Sequence, residues 1–136
     1  MLSNDRGEMR KVFFEAWRKH KERLPLETLE VQLIDIMQEH EDYHAILDDP
    51  DGFSEENFGA ENPFLHMSLH LAIREQVTTD RPTGIKAIYN KLRAKLGDTL
   101  KVEHAMMYCL SEILWEAQES NVMPDELAYL ESLKNL

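Results

Sequence analysis

Asn62-Pro63-Phe64-Leu65-His66-Met67-Ser68-Leu69-His70-Leu71-Ala72-Ile73 is the stretch that decides the fold. Asn is a strong helix N-cap because its side-chain oxygen accepts a backbone N–H of the first turn. Pro at the next position has a fixed φ suited to the first helical residue and lacks the N–H that would go unpaired there. From Phe64 to about Val77 the sequence is apolar nearly all round, with Leu65, Met67, Leu69, Leu71 and Ile73 on every face. Such a helix buries itself among other helices.

Working outward, Asp80-Arg81-Pro82 breaks this helix and starts another through Lys95, ended by Gly97. A further helix is expected from about Thr99 to Glu119, interrupted by Asn121 to Pro124. Pro124-Asp125-Glu126 then opens a short last one, its acids placed against the positive end of the helix dipole. On the N-terminal side, Asp48-Asp49-Pro50-Asp51-Gly52 signals a turn, and the stretch to Glu61 reads as a loop of about fifteen residues, a length that is often functional. Before it, a helix from about Glu27 to Leu47 carries Leu29, Leu33, Ile36, Met37, His40, His44 and Leu47 on one face. The first helix runs from about Met9 to Arg23, with Val12, Phe13, Ala16, Trp17 and His20 as its stripe, and Leu24-Pro25 ends it. No segment alternates as a strand does. The expected fold is all-α, a single-domain helical bundle of about five to six helices over residues 1–136.

Charge narrows the partners. The 136 residues hold 15 Lys+Arg and 26 Asp+Glu, a net charge of -11. Phosphate backbones and anionic membranes attract Lys and Arg, so neither nucleic acid nor a membrane surface is expected as a partner. Residues 25–62 contain twelve acids and no Lys or Arg. That segment, and the loop Asp48 to Glu61 above all, is expected to suit a basic protein partner through a salt-sensitive attraction, or to offset the basic segments on either side. No uncharged apolar window of membrane-spanning length occurs, the N-terminal residues lack a signal-peptide core, and one cysteine excludes an internal disulfide. A cytoplasmic protein is expected.

Histidine spacing points to a site. His40 and His44 are four residues apart, as are His66 and His70, and His104 lies eight residues before Glu112. On a continuous helix, positions i and i+4 stand one above the other, so two imidazoles can converge on one cation. Neutral imidazole suits zinc, iron, nickel and copper, carboxylates commonly complete the shell, and helix bundles build such sites from facing helices. The expected ligands are His40, His44, His66, His70, His104 and Glu112, with Glu39, Glu103 and Glu116 as weaker carboxylates. The cofactor is expected to be a divalent transition metal, zinc or iron first, in a mononuclear or dinuclear site. The competing explanation is a buried hydrogen-bond network of the same histidines with Tyr43, Tyr108, Ser68 and nearby acids. Cys109 reads as a small core residue. No His-Glu-x-x-His, glycine-rich phosphate loop or Gly-x-Ser-x-Gly elbow occurs, and the single Glu41-to-His44 Glu-x-x-His falls short of the two that a ferritin-like di-iron site needs.

The run Asn62 to Ile73, followed by Asp80-Arg81-Pro82-Thr83-Gly84-Ile85, resembles an uncharacterised bacterial family catalogued as domain of unknown function 1841. His104-Ala105-Met106-Met107 with Leu114-Trp115-Glu116-Ala117-Gln118 looks like its C-terminal signature, and Glu39-His40 with Tyr43-His44-Ala45-Ile46-Leu47 looks like its earlier one. The resemblance covers nearly the whole chain and implies a small proteobacterial cytoplasmic protein with no assigned activity. Three functions compete: a metal-binding bundle, a non-enzymatic acidic interaction module, and a structural bundle whose histidines form a polar core. No reaction is named by the residues.

Overall fold

The computed structural model describes residues 6–52 and 62–136. Among these, seven α-helices and no strand are found: α1 (Arg6–Lys21), α2 (Thr28–Gln38), α3 (His44–Asp48), α4 (Pro63–Thr79), α5 (Ile85–Leu96), α6 (Thr99–Ser120) and α7 (Glu126–Lys134). Single 3-10 turns occupy Glu41–Tyr43 and Pro50–Gly52. The all-α expectation holds, but the number rises to seven because the helix expected over 27–47 is two helices. From Phe53 to Glu61 the expected acidic loop lies outside the described residues. No helix among the described residues is long and apolar enough to cross a membrane.

The helix starts follow from side-chain chemistry. Asn62 Oδ1 accepts the Phe64 N–H at 2.9 Å ahead of α4. Asp98 accepts Leu100 N–H at 2.9 Å for α6, and Asp125 accepts Ala128 N–H at 3.1 Å for α7. Each satisfies a donor that has no partner within the helix. Asp80 Oδ1 accepts the N–H of Gly84 and Lys86 at the head of α5. Gly97, at φ 76°, closes α5 in the left-handed region that favours glycine.

Backbone contacts divide the chain into two compact units, Met1–Leu71 and Ala72–Leu136. In the first, Phe13, Ala16 and Trp17 of α1 pack with Leu33, Ile36 and Met37 of α2, Leu47 of α3, and Phe64, Met67 and Leu71 of α4. Phe13 and Phe14 both pack their rings against Phe64, at centroid separations of 5.6 and 5.2 Å. An ion pair from Lys19 to the buried carboxylate of Glu30 ties α1 to α2, and Glu30 also accepts the Glu27 N–H. The backbone N–H of Glu27 first, then Lys19, hold the Glu30 carboxyl below the ordinary carboxylate range. In the second unit, Ile85, Ile88 and Leu92 of α5, Val102, Met106, Cys109 and Leu110 of α6, and Tyr129 and Leu133 of α7 are buried. Arg74 grips the buried Glu103 with two hydrogen bonds, at 2.9 and 3.1 Å, and Tyr129 donates to Gln76 at 2.7 Å.

Candidate metal centre

The break after Gln38 shapes the site. Glu39, Glu41 and Asp42 follow one another where the helix dipole is negative, and acids there oppose helix continuation. Neither glycine nor proline is present; the carbonyls of Ile36 and Met37 accept the backbone N–H of Glu39 and His40, and two imidazoles add a second donor to each. His40 Nδ1 donates to Ile36 O at 2.7 Å, and His44 Nε2 donates to Met37 O at 2.7 Å. The His40 backbone leaves the helical region at φ -121°, ψ 68°. This corrects the expectation that His40 and His44 share one helical face. The i,i+4 rule requires an unbroken helix, and here the chain turns between them.

His44 therefore goes elsewhere. Its ring packs against Trp17 at 4.7 Å between centroids, and the Trp17 indole N–H donates to Asp48 Oδ1 at 2.7 Å. His40 instead swings to α4, its centroid 4.8 Å from that of His70 and 5.2 Å from that of His66. Helix α4 is continuous, so its pair meets as the spacing requires: His66 Nε2 and His70 Nε2 are 3.2 Å apart. The ligand atoms of His40, His66 and His70 lie within 4.8 Å of one another. His70 is fully buried, His40 is 9% exposed and His66 is half-buried. Tyr43 stacks on His40, its ring plane within 5° and the centroids 5.4 Å apart, and meets the His66 ring edge-on at 6.3 Å.

This arrangement fixes which nitrogens face inward. A carbonyl only accepts, so His40 Nδ1 carries its proton and Nε2 of the neutral ring keeps a lone pair. A backbone carbonyl holding the far ring nitrogen is the usual way a ligating histidine is oriented. Two imidazole nitrogens bound tetrahedrally to one ion at about 2.0–2.1 Å stand about 3.3 Å apart, close to the His66–His70 separation. At the 4.8 Å outer bound of the group, nitrogens sharing one such ion close by up to roughly 1.5 Å. Without an ion, one proton shared between His66 and His70 satisfies both nitrogens.

The other expected ligands differ in their surroundings. His104 is on α6 in the second unit, where its helix face was expected to turn inward with Leu100, Met107, Ser111 and Trp115; Met107 is buried, but His104, Ser111 and Trp115 are exposed. Val102, Met106, Cys109 and Leu110 form the buried face instead. Glu112, also exposed, accepts the hydroxyl of Tyr108 one turn away, and that bond holds the phenol above its ordinary pKa. Glu103 is committed to Arg74, and Glu39 and Glu116 are exposed. Ser68 donates to Met9 Sδ. Sequence reasoning did not foresee Trp17 beside His44; the available signal was that both lie on apolar helical stripes.

A family model described as domain of unknown function 1841 matches residues 5–135. No curated protein and no solved structure matches the chain significantly.

Proposed function

The chain belongs to the family described as domain of unknown function 1841, and because that description carries no activity, we propose its function from geometry: a transition-metal-binding helical protein in which His40, His66 and His70 hold the ion. The observation that supports this is the convergence of three imidazoles within 4.8 Å, one of them oriented by the Ile36 carbonyl. A neutral all-nitrogen set suits zinc or iron, and the small span favours one ion over two. Glu39, Glu41 and Asp42 flank His40 in sequence and add negative charge that raises local cation concentration. His104 is proposed as a further donor on its sequence pattern alone.

Metal analysis of untagged protein tests the reading. About one equivalent of zinc or iron, lost in His66→Ala and His70→Ala, is the expected result. Less than about 0.3 equivalents, with no uptake from added metal, overturns it. The hydrogen-bond network is the alternative favoured by one observation: among the described residues, every buried side-chain nitrogen and oxygen already has a partner. In that case the same variants lose stability and no metal.

A further inference from the structure

The second unit exposes more apolar surface than solvation of single residues explains. Trp115 is 62% exposed, Tyr108 65%, Met123 86% and Leu127 76%, and Val122 is exposed beside them in sequence. Their placement is ordered. Tyr108, Glu112, Trp115 and Glu119 recur at spacings of four, three and four, so they form one stripe along α6. Val122 and Met123 follow on the turn after α6, and Leu127 lies in the first turn of α7. Exposed apolar residues gathered in this way mark an interaction surface.

Charge identifies what covers it. From Val102 to Leu133 there is no Lys or Arg, while Glu112, Glu116, Glu119, Asp125, Glu126 and Glu131 are all exposed. A second copy of this chain would bring like charge against like charge, and an anionic lipid surface would be repelled. Trp and Tyr faces attract cations, and Met and Leu adapt to varied apolar side chains. We infer that the Tyr108–Trp115–Met123–Leu127 surface docks a basic amphipathic helix of another protein, whose Lys or Arg residues meet the α6 carboxylates and whose apolar face covers Trp115. The docking does not depend on a metal.

The probe is a synthetic helical peptide of Leu and Lys, with a Leu and Glu peptide of the same pattern as control. Titration calorimetry at two salt concentrations is run on wild type, Trp115→Ala, and a triple Glu112→Gln, Glu116→Gln, Glu119→Gln variant. Because Trp115 is exposed, its replacement leaves the far-ultraviolet circular dichroism unchanged. The expected result is salt-sensitive binding of the Lys peptide, weakened roughly tenfold or more by Trp115→Ala, and a flatter salt dependence in the triple variant. Equal binding by Trp115→Ala overturns the inference, because general attraction to an acidic chain would then suffice. Equal binding of the Glu peptide overturns it too, as does concentration-dependent self-association in sedimentation that Trp115→Ala abolishes.

Discussion

Replacing His70 by Ala separates the metal reading from a purely structural one, and the size of the effect can be worked out. His70 is fully buried, its Nε2 is 3.2 Å from that of His66, and its ring packs against His40. In metal-free protein the substitution removes the hydrogen bond to His66, a loss of about 1–3 kcal/mol. Metal adds a second, larger difference. At a free metal concentration one hundred times Kd, binding stabilises the folded state by about 2.7 kcal/mol. Losing a ligand weakens binding at least as much as losing a group that merely orients one, which costs about 10–100-fold, and the upper end of that range, about 100-fold, is taken for the ligand. Stabilisation of the variant by the same metal then falls to about 0.4 kcal/mol. Urea unfolding read through Trp17 fluorescence in a Trp115→Phe background reports on the unit that contains the site. Wild type is expected to gain about 2.7 kcal/mol from metal and His70→Ala about 0.4 kcal/mol or less. Equal gains in both proteins, or no gain in either, refute the reasoning.

His44→Ala is expected to leave metal stoichiometry unchanged while altering Trp17 fluorescence, since the His44 ring packs on that indole; loss of metal would return His44 to the shell. His104→Ala, measured by competition with a chromophoric chelator, is expected to weaken zinc by tenfold or more; unchanged affinity would remove His104 from the proposal. Glu103→Ala should destabilise the protein by about 2–3 kcal/mol in urea, less than the 3–5 of a fully buried pair because Arg74 keeps some access to water. Burial, with Cys109 nearby, pushes the Tyr129 phenol well above its ordinary pKa. The unfolded phenol ionises at about pH 10, so stability is fully present below that pH and falls as pH rises above it. Tyr129→Phe should remove that alkaline slope, and alkaline unfolding curves that superimpose for the two proteins would contradict it.

Much of the fold was legible because helix starts are local. Asn62-Pro63, Asp98 and Asp125 meet their backbone donors two or three residues on, within reach of any chain that begins a helix there. The division of the 27–47 segment was not legible. No glycine or proline marks it, and the side chains that add donors at the end of α2 are imidazoles, which sequence patterns count as helix-compatible.

The sequence by itself determined that this chain is helical and that His66 and His70 form a pair, because both depend on contacts within one turn of an unbroken helix. It also determined the acidic surplus. Tertiary structure alone decided which histidines of the first unit meet. Once the chain bends at His40, the spacing between His40 and His44 no longer fixes their direction: packing of α2, α3 and α4 sends His40 to the pair and His44 to Trp17. Tertiary structure likewise decided which side of α6 is buried. An amphipathic pattern with Tyr and Trp on one face and Met, Val and Leu on the other allows either orientation, and only the neighbours packed against α6 choose between them.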